Sequence, residues 1–413
     1  MRFDRLTIKN WKQFSNLDLE FHNRLTVLTG ANGSGKTTIL HILARCLGWN
    51  FQELATPKKD EKTGMIRFIS NLFHGRVENE KTPVIGVLSF SDGNRSELTV
   101  PSDTNSARYQ IRFAKSIQIP GINILSHRNL FKYQTVPSIS TQKVSRRQAY
   151  DQVSQFSMRE SLEENSYYHR SINYHIKETL LSWAIGGAGN KYIEPDAEAM
   201  AWYDGFEKVL SIIMPKHIGF ERISIRNYEI VLSTKTGDFM LDAVSGGIAA
   251  LIDLAWQIYN LASTEPELVV LIDEVENHLH ATMQRAVLPD LLEAFPGVQF
   301  VISTHSPLIV ASVKESNVYA FRYNDENRVF SERLDLVNKA RNANEVLNEV
   351  LGVPFTMPIW AEDALNRIVK KYASRDISEE MVNEMRAEFK SEGLEGLMPM
   401  AISKVMENYD QVN

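Results

Sequence analysis

Only one of the 413 residues is a cysteine, Cys46. No disulfide can close within the chain and no thiolate-based metal site can be assembled from it, so a reducing compartment is expected. Long apolar runs are also missing: none approaches the ~20 residues a membrane helix needs. The opening residues, MRFDRLTIKN, lack the apolar core of a signal peptide. Both absences lead us to expect a cytoplasmic protein with no membrane partner. Positive charge is not in excess either: 45 Lys and Arg stand against 51 Asp and Glu, for a formal net charge of -6. A globally basic nucleic-acid binder is therefore not indicated, although a local basic patch stays open. No heptad pattern persists over several repeats, which argues against a long coiled coil.

What is present is a large apolar fraction, 43%, enough for one large domain or two ordinary ones. Arg2 to Lys9 reads as a strand with Leu6 and Ile8 on one face and Phe3 on the other. Leu17, Leu19 and Phe21 alternate, and Arg24 to Thr29 is a short β-rich run ending at Gly30. A glycine-rich loop then gives way to a helix with Ile39, Leu40, Leu43 and Leu47 on one face. Residues 50–80 are polar and read as a surface insertion. Three strands are expected in PVIGVLSF, SELTV and SIQIPGINIL, the first two joined by a turn at Ser91-Asp92-Gly93-Asn94. Residues 142–215 read mainly as helix with a glycine break at 186–190. Residues 221–241 read as a strand pair, followed by a helix whose stripe is Ala250, Leu251, Leu254, Ala255 and Ile258. Leu268 to Ile272 and Val298 to Ile302 are apolar runs separated by a helical stretch, as in parallel strands buried on both faces. The tail reads as helical and acidic, with eleven acids against seven Lys or Arg over residues 361–413.

Three motifs carry chemistry. Gly30-Ala31-Asn32-Gly33-Ser34-Gly35-Lys36-Thr37 fits GxxxxGK[ST], the phosphate loop. Its glycines let backbone N–H groups point at phosphate oxygens, Lys36 reaches the β- and γ-phosphates, and Thr37 binds Mg²⁺. Asn32, Gly33, Ser34, Gly35, Lys36, Thr37 and Thr38 make up the expected ATP-binding set. Next, an apolar strand ends in Asp273-Glu274. The first acid would hold Mg²⁺, and the second would polarise the attacking water. Last, Ser303-Thr304-His305-Ser306 follows the next apolar strand, where His305 can sense a γ-phosphate.

A phosphate loop, then Ser-Gly-Gly before a helix, then Asp-Glu, then a strand ending in Thr-His is the motif order of ABC-type ATPases. The wording LIDEVENHLH and VISTHSP resembles the SMC/RecF/OLD-like group of AAA family ATPases, similar to the ATPase subunits of bacterial anti-phage systems such as Septu. The likeness spans residues 1–50 and 240–330 well and the middle weakly. It implies an α/β head with a mixed central sheet, an antiparallel β-lobe, an inserted helical lobe and a helical C-terminal tail. The implied division is 1–50 and 221–335 for the ATPase core, 51–220 for the inserted lobes and 336–413 for the tail. By the same likeness Ser245-Gly246-Gly247 is the signature that completes the nucleotide site of an opposite subunit, so that a homodimer or higher oligomer sandwiches ATP. A Ser hydroxyl, glycine amides and a helix N-terminus suit such an anion-binding surface. Lys12, in Trp11-Lys12-Gln13-Phe14, falls where the family has a turn near nucleotide.

Departures from the family pattern are Val-Ser-Gly-Gly-Ile in the signature and His280 where many members have aspartate. The Q-loop region would fall on Ile122 to Arg128 (INILSHR), without an identifiable glutamine. A metal site at His278 and His280 lacks an evident third ligand. Lys132, Lys143, Arg146 and Arg147, with Tyr133 and Tyr150, form a local basic cluster that leaves nucleic acid open as a partner. The reading with most support is an ATPase, using ATP and Mg²⁺, that regulates a protein effector such as a nuclease in an anti-phage complex. The alternative is a RecF/SMC-like DNA-binding repair clamp. A self-contained nuclease of the OLD type would need an Asp-x-Asp pair, and none occurs after His305. A transporter subunit fits the motif wording least.

Overall fold

Apolar alternation builds the first hairpin, and the rest of the main sheet grows outward from it. The structure, a computed structural model, describes residues 1–335 except 60–63, 65, 71–81, 102, 105, 129, 141, 162–169, 263 and 266, together with 358–373 and 378–412. Its strands are β1 (Phe3–Trp11), β2 (Phe14–Glu20), β3 (Leu25–Gly30), β4 (Val84–Phe90), β5 (Arg95–Thr99), β6 (Arg112–Phe113) and β7 (Gly121–Ile124). These are followed by β8 (Phe220–Arg226), β9 (Glu229–Thr234), β10 (Phe239–Met240), β11 (Val269–Ile272), β12 (Gln299–Thr304), β13 (Asn317–Tyr323) and β14 (Val329–Arg333). Among the described residues, one eleven-stranded sheet runs β6-β5-β4-β1-β2-β14-β13-β3-β12-β11-β7.

The two ends of this sheet differ in kind. From β6 to β2 every pairing is antiparallel, while β3, β12, β11 and β7 are parallel. The expected antiparallel lobe is thus one half of a continuous sheet. The hairpin β13–β14 joins the halves, with β14 parallel to β2 and β13 parallel to β3. In β1, Leu6 faces Leu19 and Ile8 faces Leu17, but Phe3 does not turn to the opposite side. A register shift between Phe3 and Arg5 brings it into the same buried cluster. In the parallel half, β3, β11 and β12 are buried along their whole length, as strands covered on both faces must be.

The third strand predicted after the insertion begins only at Gly121. Pro120 lacks the donor a ladder needs, and a Cβ at Gly121 would lie 2.8 Å from the Val269 carbonyl oxygen. Residues 116–119 are therefore not strand. Within the polar insertion, Thr56–Lys59 pairs antiparallel with Ile66–Ile69, and much of the rest falls outside the described residues.

The first helix, α1 (Lys36–Ala44), follows the glycine-rich loop. The helical lobe holds α2 (Arg146–Ser161), α3 (Ile172–Ala188) and α4 (Ala197–Ile213), with a separate sheet β8-β9-β10. The predicted glycine break is displaced. Helix α3 runs through Gly186-Gly187 and stops at Gly189, which has φ 62. Helix α5 (Gly246–Ala262) has no exposed stripe and is buried from Gly247 to Leu261, taking Asp253, Gln257 and Asn260 inside with it. Helices α6 (Ala281–Ala294) and α7 (Pro307–Val310) follow β11 and β12.

The chain divides into two compact units, Met1–Val346 and Leu347–Asn413. Of the expected helical tail, 336–357 and 374–377 lie outside the described residues. The second unit contains α8 (Ile359–Tyr372), α9 (Glu379–Ser391) and α10 (Met398–Val412), packed around Leu365, Ile368, Met385, Phe389, Ala401 and Val405.

Candidate nucleotide site

The loop between β3 and α1 is shaped by its glycines. Gly30, Gly33 and Gly35 all have positive φ. At Gly35 the reason is steric as well: a Cβ there would lie 2.3 Å from the Phe14 ring. Lys36 is only 5% exposed, and its ammonium donates to the carbonyls of Gly30 (3.0 Å) and Ala31 (3.1 Å). Burial pushes its pKa down to about 8, against the upward pull of Asp273, Glu274 and Glu276. The Ser34 hydroxyl is buried without a hydrogen-bond partner. Asn32, Gly33 and Thr37 are exposed along the loop, and Thr38 is half-buried on the first turn of α1. The loop thus presents a desolvated cation and an unsatisfied hydroxyl to a ligand. An anion such as a terminal phosphate would satisfy both.

Adjacent parallel strands bring the acids to this loop. The Thr37 hydroxyl donates to the Asp273 carboxylate (3.0 and 3.2 Å) at the end of β11. Ser303, near the end of β12, donates to Asp273 and accepts from the Glu274 N–H (2.8 Å). Glu274 has φ 46, unusual for a residue with a side chain. Its carboxylate lies 3.9 Å from His305 Nε2 and accepts from Asn277 Nδ2 at 2.9 Å. The His305 N–H donates to Glu276. Burial, and next to it the charge of Lys36, lower the His305 pKa. Lys36, Thr37, Asp273, Glu274 and His305 are therefore drawn to one place from three separate stretches of sequence. Ser303, Glu276, Asn277 and Arg128 belong to the same constellation and went unrecognised in the sequence. The first three sit inside the motifs quoted above, so position alone could have flagged them. Arg128 has no such signal beyond lying in the candidate Q-loop region.

The remaining candidates are placed differently. Ser245 is exposed at the start of α5, and Gly247 packs so closely on the Glu276–His280 loop that a Cβ would lie 2.9 Å from the His278 carbonyl oxygen. Lys12 sits in a turn with φ 47, ion-paired with Glu53 and 5.1 Å from the centre of the Trp11 ring. Its charge is thus matched within the chain. His280 caps α6 by accepting from the Thr282 N–H. Among the described residues no group of three or more His, Cys, Asp or Glu side chains is placed to hold a metal. The basic cluster is largely spoken for: Lys143 pairs with Asp196 and Glu198, Arg147 with Asp151 and Glu265, and Arg146 stacks 3.6 Å over Tyr259. No helix among the described residues is long and apolar enough to cross a membrane.

Residues 25–311 match the family described as "AAA domain, putative AbiEii toxin, Type IV TA system". The chain belongs to this AAA-type ATPase family. It is 22% identical to the "Retron Vc95 probable ATPase" of Vibrio cholerae serotype O1 biovar El Tor, over 91% of this chain and 83% of that one. It is also 22% identical to the Septu protein PtuA of Bacillus mycoides (strain KBAB4), over 89% of this chain but only 46% of that longer protein. Among solved structures, an SMC head bound to the C-winged helix domain of ScpA is similar at a TM-score of 0.46 and 17% identity, covering 81% of this chain and 98% of the other.

Proposed function

We propose that this ATPase binds ATP and Mg²⁺ at the phosphate loop and closes around ATP with a second copy of itself. In this reading it works in an anti-phage defence complex, where its ATP state gates a protein effector such as a nuclease. The observation that carries the reading is the meeting of Lys36, Thr37, Asp273, Glu274 and His305 at the carboxyl ends of adjacent parallel strands. The retron and Septu relatives support the defence setting.

In this reading the loop amides and Lys36 hold the β- and γ-phosphates. The Thr37 hydroxyl and the Asp273 carboxylate are the hard oxygen donors Mg²⁺ prefers, and their 3.0 Å contact sets them side by side. When bound, the ion neutralises charge on the phosphates. Glu274 orients and polarises the attacking water, and His305 contacts the γ-phosphate. Ser245 is exposed at the start of α5, and in this reading Ser245-Gly246-Gly247 supplies the second anion-binding edge to the site of the opposite copy.

Glu274→Gln keeps the shape and the Asp273 ligand but removes the carboxylate. Hydrolysis falls by about 10² or more, roughly 3 kcal/mol of barrier, while ATP binding persists and a closed dimer accumulates. ATP turnover and light scattering read the two effects. Normal turnover would remove Glu274 from the chemistry, and lost turnover without a dimer would refute the sandwich.

A further inference from the structure

Against the turn that carries Glu274 lies a buried cation. Arg128 is 5% exposed. Its Nη1 donates to the carbonyls of Val275 and Asn277, and its Nη2 to that of Glu274, each at 3.3 Å. The turn it grips contains two non-glycine residues at positive φ, Glu274 (46) and His278 (67). Such conformations cost about 1–3 kcal/mol each and persist only where the surroundings over-determine them. Asn277 secures the turn from the other side, donating to the Glu274 carboxylate and to the Ser126 carbonyl, both at 2.9 Å.

The charges around Arg128 come from two elements. Glu276, Asp273 and Glu274 belong to the turn itself, and Asp253 comes from α5. Asp253 is buried, 5% exposed, and accepts a hydrogen bond from Gln257 at 2.9 Å. Helix α5 is also the helix that starts at Ser245-Gly246-Gly247.

We propose that Arg128 is a positioning residue for ATP hydrolysis: its guanidinium fixes the backbone of Glu274–Asn277 so that the Glu274 carboxylate stays aimed at the phosphate site. The proposal rests on the reading of Glu274 given above.

The test is steady-state kinetics together with calorimetric ATP binding on the full chain. Arg128→Met lowers kcat by about tenfold to a hundredfold, the effect expected of a misplaced catalytic group, with ATP affinity unchanged. Arg128→Lys keeps the charge but loses the fork that grips three carbonyls, and recovers only part of kcat. If Arg128→Met does not fold, Arg128→Met with Asp253→Asn removes both buried charges and is measured in its place. In a Glu274→Gln background the Arg128 change adds no further loss, because both act on the same carboxylate. An unchanged kcat in Arg128→Met, or a loss that multiplies in the Glu274→Gln background, overturns the proposal. ATP affinity falling in step with kcat overturns it too. Normal turnover in Glu274→Gln alone would instead bring down the reading of the site, and this proposal with it.

Discussion

Two buried lysines, one in the phosphate loop and one in the helical lobe, show how the molecule separates a charge kept for a ligand from a charge kept for the fold. Lys36 has only backbone carbonyls within hydrogen-bond reach, and its pKa is pushed down to about 8. Lys177 is 1% exposed, donates to the Gln134 carbonyl (2.7 Å) and to Asp242 (2.5 Å), and pairs with Glu229 (2.6 Å). Burial alone would pull its pKa down, but these partners hold it above the usual lysine value. Asp242 is bonded in turn by Asn173, whose amide also donates to the Lys132 carbonyl. One lysine is desolvated and left under-compensated, the signature of a group waiting for an anion. The other is desolvated and fully matched, a tie between α3 and the segment leading to Ser245.

The largest effect expected from this contrast is on ligand binding. Lys36→Ala removes the cation facing the terminal phosphates and abolishes tight ATP binding while the fold survives. Calorimetric titration and thermal melting check the two halves of that statement, and retained affinity would erase the distinction between the lysines. Lys177→Met should do the reverse. It strands Asp242 in the interior and costs about 3–5 kcal/mol of stability, with ATP affinity at the phosphate loop preserved. Chemical denaturation of the first unit's transition measures it, and a small cost would mean that the lobe's network is not structural.

The smallest effect concerns a buried carboxyl, that of Asp253. Burial, against the hydrogen bond from Gln257 and the charge of Arg128, pushes the Asp253 carboxyl up to about 6 from an ordinary 3.8. The native state therefore binds a proton through that window while the unfolded chain releases it. Stability from this group is fullest below the unfolded value and is lost as pH rises through about 6. Asp253→Asn should flatten the stability profile by roughly 1–3 kcal/mol between pH 4 and 6. Unfolding curves across that range read it, and a profile parallel to that of the unsubstituted chain would show that Asp253 titrates normally.

The phosphate loop was legible in the sequence because its geometry is local. Glycines at 30, 33 and 35 stand where the backbone needs positive φ, and a strand and a helix flank them. The parallel strands were legible because burial on both faces leaves an unbroken apolar run. Strand ends and helix breaks were less so. The start of β7 depends on the closeness of Val269 to Gly121, and the end of α3 on Pro195 beside Gly189. Val269 is far outside any local window around Gly121, while Pro195 lies near Gly189 but its packing against it is not written in periodicity.

Sequence alone thus determined the chemistry on offer: a phosphate-binding loop, an Asp-Glu pair after an apolar strand, and a histidine after the next. It also determined the mixed α/β architecture that could bring them together. Only the tertiary structure decided which charges were already taken. Lys12 is matched by Glu53, 41 positions away, Arg147 by Glu265, and Lys177 by Asp242, whereas Lys36 is left facing the site. It also decided that Arg128 would grip the turn beside Glu274, 146 positions away. Local motifs are written in spacing because one turn of backbone fixes their geometry. Charge pairing is a Coulomb interaction through space, and no periodicity in the chain records which distant partner folding will bring near.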